Sequence, residues 1–309
     1  MRSKLTQYPA INHLMKLLLV FFFFLFLLFL VLRSTSSSTT HQILVSNSSD
    51  PQDHQVEAQE SKNPNCSPTD TTTCAKIPPS LAQALVHYVT TNITPQQTFN
   101  EISVTMRVLL QKKSPSNLLV FGLGHDSLMW AALNHGGHTV FLEEDKSWID
   151  QIEASKVLLP TLMDYSIFHV VYDTQVNQAD QLLKICMGDD ECKVVGDPRV
   201  SKCGLAHKGL PKEVYETEWD LIMVDAPTGY HDAAPGRMSA IYTAGLMARN
   251  REDGETHVFV HDVDRVVEDK FSRAFLCDGY LTEQEGRLRH FTIPSHRTRL
   301  GRPFCPRLH

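Results

Sequence analysis

Several common signatures are missing from this chain of 309 residues. It has no surplus of positive charge: 29 Lys and Arg against 35 Asp and Glu leave a net charge of −6, which argues against a nucleic-acid binder. Its seven cysteines include no C-x2-C pair, so the usual zinc framework is absent and disulfides are the reading to test. An odd count leaves at least one thiol unpaired. The dinucleotide fingerprint G-x-G-x-x-G is incomplete, because Gly122 and Gly124 are followed by Ser127 where the third glycine belongs. No pyrophosphate-gripping loop is therefore evident. The D-x-D pair that a nucleotide-sugar transferase places after a strand occurs only as Asp262-Val263-Asp264.

What is present organises around residues 117–145. Leu118 to Phe121 form a short apolar run, broken by Gly122-Leu123-Gly124. Leu128 to Leu133 have the apolar density of a helix on a sheet, ended by Gly136-Gly137. Thr139 to Leu142 form a second buried strand that stops at Glu143-Glu144-Asp145. Strand, glycine turn, helix, strand and acid make one βαβ unit of a doubly wound α/β fold. Two glycines let a nucleoside approach the backbone, and an acid about 20 residues further on accepts ribose hydroxyls. Glu143, the first acid after the strand, takes that role, with Glu144 beside it; Asp145 reads as a helix cap. Without a phosphate loop, the ligand that suits such a turn is S-adenosylmethionine.

Residues 17–32 are an unbroken run of Leu, Val and Phe. With Arg2, Lys4 and Lys16 ahead of it and Arg33 behind, it reads as an uncleaved signal anchor, N-terminus cytosolic. The run exceeds a typical h-region and no A-x-A site follows, which disfavours a cleaved signal peptide. The organisation is then a cytosolic tail at 1–16, a transmembrane anchor at 17–32, a polar lumenal stem at 33–79 and a folded domain at 80–309. Asn47, Asn65 and Asn92 open glycosylation sequons on the lumenal side.

Two helices are expected over 81–90 and 95–110, packed on the sheet edge. A third strand is expected at 168–172, a helix at 179–185 and an irregular cysteine-bearing stretch at 186–212. Trp219 to Pro227 (W-D-L-I-M-V-D-A-P) is a buried strand that ends in Asp225. Pro235-Gly236-Arg237-Met238 opens a helix, with Arg237 at its N-terminus. A cation is disfavoured there by the helix dipole, so Arg237 is expected either to face an anion or to snorkel on the surface. Thr256 to Val260 form a strand that ends in His261-Asp262, and Arg265 follows. In a doubly wound sheet ligands sit beyond the carboxyl ends of strands, so Asp225 and Asp262 meet at one edge, with His261 beside them. They can hold a divalent cation, one can serve as general base, or they can form a buried structural pair. A helix at 271–276 and a late strand at 287–293 precede a basic tail that reads as solvated.

Five blocks carry a family resemblance: Val120 to Trp130, Thr139 to Asp145, Trp219 to Pro227, Ala234 to Met238 and Thr256 to Val263. Together they resemble the glucuronoxylan 4-O-methyltransferases of the plant Golgi. The resemblance implies a class I S-adenosylmethionine-dependent methyltransferase fold. It implies methyl transfer to O4 of glucuronic acid side chains on xylan by a type II Golgi membrane protein, alongside other xylan-synthesis enzymes. Gly122 and Gly124 with Glu143 and Glu144 would hold the cofactor. Asp225, His261 and Asp262 would surround the acceptor hydroxyl, with or without a divalent metal cation on Asp225 and Asp262. Arg237 or Arg265 would pair with the uronate carboxylate. The alternatives are a non-catalytic scaffold of the xylan-synthesising machinery and an O-methyltransferase for another acceptor.

Overall fold

The computed structural model describes residues 96–112, 115–154, 164–299 and 301–306. The anchor at 17–32, the stem, its sequons and the helix at 81–90 lie outside these residues. No helix among the described residues is long and apolar enough to cross a membrane.

A helix comes first, α1 (Phe99–Gln111), followed by β1 (Leu118–Phe121), α2 (Ser127–Leu133), β2 (Thr139–Glu143), α3 (Lys146–Ala154) and β3 (Tyr165–His169). Next come α4 (Ala179–Gly188), α5 (Lys212–Glu216), β4 (Leu221–Val224), α6 (Met238–Asn250), β5 (Glu255–Val260), α7 (Val266–Phe271), β6 (Leu281–Glu285) and β7 (Leu288–Pro294). The sheet order is β3-β2-β1-β4-β5-β7-β6. The first five strands run parallel, and β7 is antiparallel to both β5 and β6. This is the Rossmann-like α/β class the resemblance implied.

Alternation along the strands builds two cores. Leu118, Val120, Phe141, Met223 and Phe259 point to one face, where α1, α2 and α3 supply Ile102, Trp130 and Ile149. Leu119, Phe121, Leu142, Val224 and Val260 point to the other, where α6 and α7 supply Ile241, Tyr242 and Phe271. Strands buried on both faces read as continuous apolar runs because every side chain has a helix to meet. The strand order reverses between β1 and β4, and the crevice between their carboxyl ends is the site such a sheet prepares for a ligand.

Some expectations change. Helix α1 lies across a face of the sheet rather than along its edge, since its apolar residues pack with those of β1, β4 and β5. The third strand is 165–169, not 168–172. Strand β6 was not expected: Leu281–Glu285 (L-T-E-Q-E) is half exposed at the sheet's edge, so it lacks the apolar signal. The tail is anchored as far as residue 306. Cys305 is bonded to Cys277, and Phe304 accepts from the buried Arg249 guanidinium at 3.1 Å and stacks against it. Cys192 pairs with Cys203, while Cys186 is unpaired and buried.

Candidate active site

A cavity of about 490 Å³ opens at the β1–β4 switch point. Its first wall is the turn after β1. Gly122 has φ +127°, which a side chain would strain, and an added Cβ would lie 3.2 Å from Ala226 Cβ. The turn closes through Ser127, whose hydroxyl accepts from Gly124 N at 2.9 Å. The serine that breaks the dinucleotide pattern thus caps the turn itself.

Glu143, at the end of β2, braces this wall. One carboxylate oxygen accepts from Leu123 N and the other from Asp145 N, both at 2.9 Å. Asp145 in turn caps α3 by accepting from Ser147 N at 2.8 Å. Burial, reinforced by the charge of Glu144, pushes the Glu143 carboxyl up to about 7 against the two amide hydrogen bonds. Glu144 Oε1 accepts from Thr228 N at 2.7 Å and Thr228 Oγ1 at 2.8 Å, tying β2 to the loop after β4. Glu144 Oε2 is buried with no hydrogen-bond partner among the described residues.

The Glu143 pKa fixes a sign for stability. Its folded value lies above the unfolded 4.5, so the native state binds more protons between those values. Glu143 is therefore neutral and costs nothing at pH 4.5, and its penalty is complete only above pH 7. Chemical unfolding of wild type should lose roughly 2 kcal/mol between pH 5 and pH 8 from this group. The same series on Glu143→Gln should lack that slope; an equal slope in both proteins would assign the titration elsewhere.

Beside this turn, just past the end of β4, Asp225 also lines the cavity. His261 Nδ1 lies 2.9 Å from its Oδ1, and Gln97 Nε2 donates to its Oδ2 at 3.1 Å. Burial alone would raise this carboxyl, but the His261 hydrogen bond and the Arg237 charge outweigh it and hold it below the ordinary range. Across the cavity, Asp126 accepts from Trp130 Nε1 at 2.8 Å, and burial together with the Asp225 charge pushes its carboxyl up.

His261 and Asp262 do not line the cavity. Both are fully buried behind Asp225, which corrects the expectation that they surround a substrate hydroxyl. Asp262 turns inward on a left-handed backbone (φ +60°). It sits among three guanidiniums: Arg237 and Arg265 at 2.9 Å and Arg287 at 2.7 Å. His261 Nε2 lies 3.8 Å from Glu101 Oε2 without a hydrogen bond.

Arg237 is also corrected. It faces anions, as its place at the helix N-terminus required, but they belong to the protein. It is 3% exposed and lies within ion-pair distance of Asp225, Asp262 and Glu268. Its nitrogens donate to the carbonyls of Pro227, His261 and Asp225. Arg237 borders the cavity, but most of its donors are engaged by the protein, which leaves little to offer a uronate. Arg265, half-exposed and lining the cavity, pairs only through Nη2 with Asp262 in this network.

Asp225, His261 and Asp262 bring ligand atoms within 4.8 Å of one another. The position between the two carboxylates is taken by Arg237 Nη2, 3.3 Å from Asp225 Oδ1 and 2.9 Å from Asp262 Oδ2. A divalent ion bridging Asp225 and Asp262 does not fit beside that guanidinium. A nucleoside with a sulfonium fits the cavity better. Asp126, Glu143, Glu144, Asp145 and Asp225 make the lining predominantly acidic, and Glu144 Oε2 is a free acceptor.

The sequence reading missed Gln97, Glu101, Asp126 and Arg287. Asp126 sat inside the glycine block and was legible by position. Gln97 precedes the Thr98 N-cap of α1, and Glu101 lies in the first turn, where Thr98 and Glu101 form a capping box. The capping motif was visible in the sequence; its docking on Arg287 N (2.6 Å), 186 residues away, was not.

Comparison with known proteins adds a finding. A family model described as IRX15/IRX15L/GXM matches residues 100–291. Glucuronoxylan 4-O-methyltransferase 3 of Arabidopsis thaliana is 64% identical over 252 residues, covering 82% of each chain. Glucuronoxylan 4-O-methyltransferase 1 of the same plant is 61% identical over 269 residues, covering 85% of this chain and 91% of that one. Arabinogalactan O-methyltransferase 2, also from Arabidopsis thaliana, is 48% identical over 234 residues, covering 74% of this chain and 78% of that one.

Proposed function

The chain belongs to the IRX15/IRX15L/GXM family, and we propose that it transfers a methyl group from S-adenosylmethionine to O4 of the glucuronic acid side chains of glucuronoxylan. One observation carries the reading: a chain 64% identical to a glucuronoxylan 4-O-methyltransferase gathers an aspartate, a glycine turn and a strand-end glutamate in one acidic cavity.

S-adenosylmethionine, when bound, supplies a methyl already activated on a sulfonium. The chain's own residues align and deprotonate the acceptor. The Gly122 turn admits the nucleoside close to the backbone, and the Glu143 carboxylate, with a lone pair left on each oxygen, accepts ribose hydroxyls. Glu144 Oε2 offers a further acceptor. Asp225 accepts the hydrogen bond of the acceptor O4–H and takes its proton as the new C–O bond makes that hydroxyl acidic. A depressed pKa makes Asp225 a weak base for a resting alcohol. It also keeps the charge in place, so the acceptor hydroxyl would meet a fixed anion. His261 and Gln97 hold the two Asp225 oxygens in orientation. Arg265 orients the uronate carboxylate through its guanidinium fork.

The same reading locates the domain in the Golgi lumen, anchored through residues 17–32. The Cys192–Cys203 and Cys277–Cys305 disulfides support it, because such bonds persist in oxidising compartments.

The test is calorimetry with S-adenosylmethionine followed by methyl transfer to glucuronoxylan. Ribose hydroxyls favour ionised Glu143, so affinity should rise about tenfold from pH 6 to pH 8 as the carboxyl loses its proton. A flat affinity profile would remove Glu143 from the ribose role. A folded domain that binds no S-adenosylmethionine would end the methyltransferase reading.

A further inference from the structure

We propose that Tyr230 is a stacking platform for the xylan backbone, and that a second cleft beyond Val266 continues the acceptor groove. The inference rests on the acceptor class proposed above.

Tyr230 lines the active-site cavity yet leaves 77% of its surface exposed. The loop that carries it is pinned. Gly236 N donates to Thr228 O at 2.8 Å and Ala234 N to His231 O at 2.9 Å. Thr228 is held by Glu144 through two hydrogen bonds. From the other side, Val176 N and Asn177 N donate to Ala234 O and Asp232 O. The His231 ring supports the phenol edge-on, with centroids 5.0 Å apart. An aromatic ring held in water by an ordered loop gains little from folding. It gains when an apolar surface covers it. A pyranose offers such a surface, because its ring C–H bonds form a flat apolar face that packs on an aromatic by dispersion and water exclusion. Xylose has no hydroxymethyl branch to obstruct that contact.

A second cleft, about 240 Å³, is lined by the first residues of α7 and by Val176 and Asn177. Arg265 lines the cavity and the adjacent Val266 lines the cleft, so the two share one stretch of backbone. Val266 is 64% exposed, and Phe271 and Val176 form the apolar floor. Asn177 and the Lys270–Asp180 pair (2.8 Å) supply donors and acceptors for sugar hydroxyls. The segment that borders this cleft is the one bonded to the Tyr230 loop. A methyl acceptor that branches from a polymer needs this arrangement: the uronate enters the cavity at Arg265 while the backbone passes outside.

The experiment compares Tyr230→Ala and Tyr230→Trp with wild type. The acceptors are polymeric glucuronoxylan and a short one, a single xylose bearing one glucuronic acid. Tyr230→Ala should raise KM for the polymer about tenfold, the effect of uncovering one stacked sugar face. It should change KM for the short acceptor far less and leave kcat and S-adenosylmethionine affinity unchanged. Tyr230→Trp should behave as wild type. Val266→Asp should raise KM for the polymer alone. An unchanged polymer KM in Tyr230→Ala, or an equal rise for both acceptors, would overturn the backbone assignment. If wild type binds S-adenosylmethionine but methylates neither acceptor, the acceptor reading itself fails and takes this inference with it.

Discussion

Asp225→Asn should lower kcat by roughly 10²–10⁴-fold, the range a positioned general base contributes. The amide keeps the size of the side chain and can still accept from His261 Nδ1. It cannot accept a proton, and it removes the fixed negative charge from the end of β4. Cofactor affinity should stay near wild type, because the ribose role falls to Glu143 at the end of β2, which β1 separates from β4. The pH profile separates the two carboxylates. The His261 hydrogen bond and the Arg237 charge hold Asp225 below its ordinary 3.8 despite burial, so it stays ionised through the neutral range. Glu143 titrates near 7. Any acid limb between pH 6 and 8 should therefore appear in KM for S-adenosylmethionine and not in kcat. Single-turnover rates would decide the matter, and an Asp225→Asn rate within tenfold of wild type would remove Asp225 from the chemistry.

Arg237→Ala should cost about 3–5 kcal/mol of folding stability, the usual result of breaking a buried ion pair from one side. Against a typical total of about 5–15 kcal/mol, that is a large share. Arg237 is 3% exposed and sits among Asp225, Asp262 and Glu268. Asp262 keeps Arg265 and Arg287 as partners, but Asp225 and Glu268 lose their nearby guanidinium. Burial already pushes the Glu268 carboxyl up against the pull of Arg237, so losing that cation raises it further. The variant should lose less at pH 5 than at pH 8, because protonated carboxyls need no counter-charge. Arg237→Lys should fall between, since an ammonium cannot reach the carbonyls of Pro227, His261 and Asp225 together. Urea titrations at both pH values give the comparison. A loss under about 1 kcal/mol in Arg237→Ala would show that the site tolerates its carboxylates unpaired.

The two outcomes are linked through the same cluster. Arg237 touches Asp225 at both its carboxylate and its carbonyl, so the residue that carries folding energy also sets the charge of the residue that meets substrate. A binding role for Arg237, natural from its position ahead of α6, gives way to a positioning role once its neighbours are counted. Arg265 is the one proposed to meet the uronate, because it alone of the pair remains half-exposed.

The fold was largely legible where each strand is buried on both faces. Leu118–Phe121, Thr139–Glu143, Leu221–Val224 and Glu255–Val260 announce themselves because helices cover both sides and most positions are buried and apolar. Edge strands carry no such demand, so β6 was silent and β3, only partly buried, was placed three residues late. The glycine turn and Asp225 were also legible, because strand ends in a doubly wound sheet share one edge.

The sequence by itself therefore determined the sheet, the edge on which chemistry occurs and the aspartate at its mouth. All three follow from local apolar periodicity and from the residues that interrupt it. Tertiary structure alone decided which charged side chains face the cavity and which support it from behind. His261 and Asp262 turn inward, Arg237 lies between two carboxylates, and Gln97, Glu101 and Arg287 arrive from segments more than 100 residues distant in sequence from Asp225 or His261 or, for Arg287, from a neighbouring hairpin. The physical reason is that burying a charge is tolerable only beside its counter-charge. Partners of that kind are fixed by the packing of distant elements, which no local pattern encodes.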